Sequence, residues 1–127
     1  MTSLSDFKSP FMTVEERGPV FVAHLTKPSL TEEENIEQLG QEFTMLVEHF
    51  GCRRIVVDLD VVTLATSAAL GKLISLHRNL HRREGRLVLC GVKGTTLDVM
   101  LTANLTNYFS ISESVDDAVA RLNEVQG

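Results

Sequence analysis

Two hydroxyl side chains, Thr66 and Ser67, stand where an apolar run gives way to a helical pattern. Ile55-Val56-Val57-Asp58-Leu59 lies upstream, and Leu70, Leu73 and Ile74 recur downstream at helical spacing. In open α/β sheets ligands gather at the carboxyl ends of strands, so a hydroxyl between a strand and the next helix occupies a favoured place for function. A helix start also carries unpaired amides and the positive end of the dipole, which would tolerate a phosphate on Ser67. The same position has a structural use, because Thr or Ser before the first turn caps a helix. Spacing alone leaves both uses open.

Other chemistry-bearing residues give weaker patterns. Asp58 and Asp60 fall on one face of a strand, a pair of carboxylates that could hold magnesium as in phosphoacceptor receiver domains. A receiver also wants a further phosphoacceptor aspartate and a lysine at a later strand end, and neither is evident. Gly91–Thr96 (Gly-Val-Lys-Gly-Thr-Thr) follows a strand and precedes a helix, but it fits neither GxGxxG nor GxxxxGK[ST] and reads better as a turn. His77 and His81 have zinc-compatible i, i+4 spacing without the Glu of HExxH. They read as one residue at the edge of a buried stripe and one in solvent. His24, alone on a strand, reads as structural. Cys52 and Cys90 share no CxxC and read as buried thiols. No nucleophile elbow or spaced triad is visible, so no enzyme, catalytic residue, metal or cofactor is implied.

The elements that must position these residues are plain in outline. The 127 residues suit one domain, and 43% apolar with 23% charged residues is ordinary globular composition. Residues 1–10 are polar, end at Pro10 and are expected to form a loose tail before a single domain over residues 11–127. Phe11–Glu16 and Val20–Leu25, joined at Arg17-Gly18-Pro19, predict a hairpin. Thr31 and Glu34 suit a capping box opening a helix whose apolar stripe is Ile36, Leu39, Phe43, Leu46, Val47 and Phe50, ended by Gly51. Arg54–Asp60 reads as a central strand covered on both faces. A helix is predicted from Ser67 to Glu84 and stopped by Gly85, then a strand at Arg86–Cys90 and a helix capped by Thr95 or Thr96. A short strand at Phe109–Ile111 precedes a final helix opened by Ser114. Strands alternating with about four helices imply an α/β domain with a mixed, mostly parallel sheet and an N-terminal hairpin.

Charge and hydropathy narrow the partners. The net charge of −5 makes a general nucleic-acid binder a poor expectation, since phosphate contact needs a positive field. Glutamates crowd positions 32–48 while Arg78, Arg82, Arg83 and Arg86 crowd another segment, so two faces of opposite sign can form. Apolar runs are only a few residues long, and the first residues lack a signal peptide's basic start and apolar stretch. The expected place is the cytoplasm, with no insertion into a membrane.

The stretch from Asp58-Leu59 to Thr66-Ser67-Ala68-Ala69-Leu70-Gly71 resembles the core of the anti-sigma factor antagonist family, the STAS domains. That pattern is a strand ending in Asp-Leu, several residues, then Asp-Ser-Ser/Thr-Gly-Leu-Gly opening a helix. The paired first strands, the acidic first helix, Arg86–Cys90, Leu101–Leu105 and Ser112–Leu122 fall in register with it. The resemblance implies a STAS fold, a protein partner that is a serine kinase of the anti-sigma type, and phosphorylation at Ser67, with Thr66 the next choice. It also implies a partner-binding surface of Thr66, Ser67, Ala68, Leu70, Gly71, Lys72 and Ser75. Apart from the resemblance, the helix bearing His77 and His81 offers a partner-binding face of Lys72, Ser75, Arg78, Asn79 and Arg82. Three positions depart from the pattern: Thr66 replaces the acid, Ala68 the second hydroxyl and Ala69 the glycine. Losing the acid removes a charge and an acceptor from the loop. A constitutive scaffold or transporter-associated subunit, with Ser67 only opening a helix, is therefore the alternative. An α/β domain handling a small phosphate ligand through Asp58, Asp60 and Gly91–Thr96 is the enzyme-class alternative.

Overall fold

The computed structural model describes residues 7–124. Five strands form the main sheet in the order β1-β2-β4-β6-β7. They are β1 Met12–Arg17, β2 Val20–Leu25, β4 Arg54–Asp58, β6 Arg86–Cys90 and β7 Ser110–Ser112. The β1–β2 hairpin is antiparallel, and β2, β4, β6 and β7 pair in parallel. Among the described residues there are four helices, three between strands and the last after β7: α1 Glu33–Glu48, α2 Ser67–Arg82, α3 Gly94–Thr102 and α4 Val115–Glu124. A second, two-stranded sheet pairs β3 Ser29–Leu30 with β5 Leu64–Ala65 in parallel.

β4 sits in the middle because its run is apolar on both faces. Ile55 and Val57 pack with α1 and α2 residues such as Phe43, Leu46, Leu70 and Leu73, in a core that Met100 of α3 joins. Val56 faces the other way, toward Val22, Val88 and the α4 residues Ala118, Val119 and Leu122. Full burial of such a side chain contributes about 1.5–3 kcal/mol. The strand ends two residues earlier than its apolar run suggests. Asp58 Oδ1 accepts the Asp60 amide at 3.0 Å, and the Val62 amide donates back to the Leu59 carbonyl at 2.9 Å, so the chain bends out of the sheet.

Helix boundaries also shift for local reasons. Thr31 does not cap α1; the N-cap is Glu32, still extended and without a side-chain bond, because the β3–β5 pairing carries the chain extended past Leu30. α2 closes at Arg82, not Glu84, and Glu84 itself takes the left-handed turn at φ 59°. Gly85 is needed for space: a Cβ there would lie 2.5 Å from the Arg53 carbonyl oxygen. α3 is capped by the Lys93 backbone, leaving Thr95 and Thr96 inside the helix. The last strand is Ser110–Ser112, one residue later than expected, and Ser114 Oγ accepts the Asp117 amide at 3.1 Å to open α4. The expected tail lies outside the described residues up to position 6. Within its last four residues, Phe7 meets the Phe50 ring edge-on at 5.7 Å, and the Ser9 hydroxyl donates to Glu42.

Candidate functional site

The segment from Leu59 to Thr66 leaves the carboxyl end of the central strand and enters α2. It is not a free loop. The Thr63 and Leu64 amides donate to the Pro28 carbonyl at 2.9 and 3.2 Å, and the Thr66 amide donates to the Leu30 carbonyl at 3.2 Å. The Thr63 hydroxyl adds a bond to Pro28 O at 3.2 Å. These bonds fix the entry to α2 against the chain that leads into α1.

At the helix start the two hydroxyls divide their work. Thr66 is the N-cap, and its Oγ1 accepts the Ala69 amide at 3.3 Å. Ser67 is the first helical residue, its side chain is exposed, and its hydroxyl has no hydrogen bond among the described residues. The amides of Ser67 and Ala68 belong to the group that a helix start leaves unpaired. A helix dipole adds positive potential at the same place.

The other residues expected at a partner surface fall on different faces. Ala68 and Ser75 are exposed, and Gly71 is half-buried with open space where a Cβ would project. Leu70, 1% exposed, points into the core and seats α2 there, away from the exposed face of the helix. Asn79 is likewise buried, donating to Glu48 Oε2 at 3.2 Å and accepting from Arg83, whereas Arg78 and Arg82 are exposed. Lys72 leans back onto α1: its Nζ is 2.9 Å from Glu37 Oε1, and its stem lies so close that a Cβ on Gly40 would be 2.7 Å from Lys72 Cδ. A cleft of about 430 Å³ opens between the two helices, lined by Thr31, Glu33, Ile36, Glu37, Thr66, Ala68 and Lys72.

Two features of this region escaped the sequence reading. One is the β3–β5 pair, whose two-residue strands have no periodicity to read. The other is the exposed apolar pair Val61 and Leu64 beside the helix start. Their signal was apolar residues in a segment too short for a helix or a strand.

The weaker constellations have structural partners of their own. Asp58 and Asp60 are held apart by different partners: Asp58 Oδ2 bonds His24 Nδ1 at 2.8 Å, and Asp60 Oδ1 pairs with Lys93 Nζ at 3.2 Å. Among the described residues no group of three or more His, Cys, Asp or Glu side chains could hold a metal ion. Gly91 takes φ 71°, and a Cβ there would lie 2.6 Å from the Asp60 amide nitrogen, so the Gly91–Thr96 segment closes against the acidic bend. His77 stacks with His81 at 6.1 Å and lies 4.8 Å from the Tyr108 ring. Burial, then the His81 and Arg86 charges, lower the His77 pKa. Burial pushes both thiols up to about 12, with the charge of Glu16 adding for Cys52 and that of Asp58 for Cys90. Such thiols are poor nucleophiles.

Comparison with known proteins bears on the family and the fold. The STAS domain model matches residues 11–118. BtrV of Bordetella bronchiseptica, which carries the name anti-sigma factor antagonist, is 31% identical over 86 residues, 68% of this chain and 73% of that protein. An anti-sigma factor antagonist from Mycobacterium paratuberculosis superimposes with a TM-score of 0.77 at 19% identity, covering 93% of this chain and all of that one (100%). The anti-sigma factor antagonist SpoIIAA in its unphosphorylated form gives 0.69 at 15% identity, covering 90% of this chain and 99% of that one. Bacillus SpoIIAA in the phosphorylated form gives 0.67 at 17% identity, covering 87% and 97%. Among the described residues no helix is long and apolar enough to cross a membrane.

Proposed function

The chain belongs to the STAS domain family, and we propose that it is a non-catalytic cytoplasmic regulator that binds a serine kinase of the anti-sigma type and is switched by phosphorylation of Ser67. The partner-facing set is Thr66, Ser67, Ala68, Gly71, Lys72 and Ser75, with Leu70 supporting them from the core. The observation that carries this reading is the division at the helix start. Thr66 does the capping, and the Ser67 hydroxyl is exposed, without a bond to lose among the described residues. Support comes from relatives that carry the name anti-sigma factor antagonist, one of them solved in both phosphorylated and unphosphorylated forms.

The switch follows from charge. A phosphate on Ser67 adds about −1.5 to −2 charge. In the free protein the α2 dipole and the Ser67 and Ala68 amides tolerate it. In a closed interface the same charge loses its water, and an uncompensated buried charge is costly. Binding is therefore strong for the hydroxyl and weak for the phosphate.

A second reading, a constitutive scaffold or transporter-associated subunit, is favoured by Thr66 standing where the family pattern has an acid. Affinities of wild type, Ser67→Ala and Ser67→Asp for an anti-sigma-type serine kinase captured as partner, with phosphosite mapping by mass spectrometry, separate the two. The switch predicts that Ser67→Ala binds as wild type does and Ser67→Asp binds at least about tenfold less well, a loss of roughly 1.4 kcal/mol. Equal affinities for all three remove Ser67 from the interface. Phosphate found elsewhere, with none on Ser67 or Thr66, rejects the switch and leaves the scaffold.

A further inference from the structure

A separate polar cluster lies across the carboxyl ends of β2 and β4, on the sheet face that α4 covers nearer the other end. His24 stands beside Asp58 in the parallel register, and Glu15 lies two residues along β1 from Thr13, the residue opposite His24. The ring is held at both nitrogens. Nδ1 lies 2.8 Å from Asp58 Oδ2, and Nε2 lies 2.9 Å from Glu15 Oε1. An ionised carboxylate only accepts, so both bonds exist together only when both nitrogens carry a hydrogen, that is, in the imidazolium. The neutral ring has one N–H and turns a lone pair toward the other carboxylate.

We propose that Glu15, His24 and Asp58 form a proton-operated clasp that fastens the edge strand β1 to the sheet while His24 is charged and releases Glu15 when it is neutral. Glu15 is the arm that lets go. Its side chain is 48% exposed against 16% for Asp58, and Asp58 is also tied through Oδ1 to the Asp60 amide. Among the described residues, the donors of Cys90, Lys93, Arg17 and Arg121 are engaged elsewhere. From β6 the nearest is the Cys90 thiol, 3.8 Å from Asp58 Oδ1, and Lys93 in the turn beyond pairs with Asp60. From α4, Asp116 pairs with Arg17, and Arg121 donates to the Ile111 carbonyl and the Ser112 hydroxyl.

The direction of the pH response follows. Burial disfavours the His24 cation, but the bonds and charges of Glu15 and Asp58 outweigh it and raise the pKa above 6.5. A group with a raised folded-state pKa stabilises fully below its unfolded value and loses that contribution as pH rises through the folded value. The clasp is closed in mildly acidic solution and opens toward alkaline pH.

The test follows the His24 ring by NMR, and the thermal midpoint, from about pH 5.5 to 8.5, the range in which a histidine titrates. Wild type, Glu15→Gln and His24→Gln are compared as full chains. In wild type His24 titrates above 6.5, and the midpoint of unfolding falls by a few degrees across that titration. Glu15→Gln moves the titration down toward the ordinary value, and His24→Gln removes the fall. In wild type, β1 amide exchange, corrected for its intrinsic pH dependence, speeds up relative to β4 as His24 loses its proton. A wild-type titration at or below 6.5, a titration that Glu15→Gln does not move, or an equal fall in His24→Gln overturns the clasp. Should His24→Gln fail to fold, the exposed Glu15→Gln substitution decides the question alone.

Discussion

The root and the tip of the segment between β4 and α2 are built on opposite terms. At the root, Asp58 is saturated: one oxygen takes the His24 ring, and the other takes the Asp60 amide and faces the Cys90 thiol. At the tip, Ser67 is exposed and its hydroxyl has no partner among the described residues, while Thr66 next to it caps the helix start. Between them, β5 is stitched to Pro28 and Leu30. The contrast sets a carboxylate bonded at both oxygens against a hydroxyl that, among the described residues, is uncommitted. A side chain already bonded on every side must break something to bind a partner, whereas Ser67 breaks nothing.

The sharpest way to break this comparison is at the root. Gly91 has φ 71°, and a Cβ on it would lie 2.6 Å from the Asp60 nitrogen and 2.8 Å from its Cα. Gly18 has nearly the same backbone, φ 67°, with nothing within 4 Å. A left-handed conformation costs a non-glycine residue about 1–2 kcal/mol. Gly18→Ala therefore loses about that much in denaturant unfolding, and Gly91→Ala loses clearly more, because backbone must move as well. Equal losses would show that the root yields freely.

The next effect is at the cap. Thr66→Ala removes the acceptor for the Ala69 amide and the weak 3.5 Å contact to the Leu30 carbonyl. Loss of an N-cap side chain costs about 0.5–2 kcal/mol. Thr66→Asp restores an acceptor, places a favourable charge at the helix start and returns most of that stability. Chemical denaturation of the three proteins checks the order. A Thr66→Ala protein as stable as wild type would mean that Thr66 is not what frees Ser67.

How much of this was legible depended on the range of the contacts. The helix start at Ser67 and the central strand were readable because long apolar periods flank them, and Arg86–Cys90 was read to the residue. The β3–β5 pair was not, because two residues on each strand carry no period and their pairing joins Leu30 to Ala65 across the whole of α1 and β4. The caps at Glu32 and Lys93 are backbone caps without a side-chain bond, so no residue type announced them. Leu70 and Asn79 were placed on a partner face by motif and by helical position, but packing against α1 and the core takes both inward. The two carboxylates that hold His24 come from a strand register that local sequence does not reveal.

The smallest expected effect is the most telling for the tip. Ser67→Ala deletes a hydroxyl that has no bond among the described residues, and alanine is the better helix former by a few tenths of a kcal/mol. Exposed substitutions away from special features stay within about 0.5 kcal/mol. Unfolding of Ser67→Ala should therefore match wild type within that range, at a pH on either side of the His24 titration. This near-neutrality is what makes the variant a clean probe of partner binding, since any lost affinity then comes from the interface and not from the fold. A loss above about 1 kcal/mol would give the Ser67 hydroxyl a capping share of its own. The tip would then be saturated like the root, and the basis for reading Ser67 as the uncommitted group would be gone.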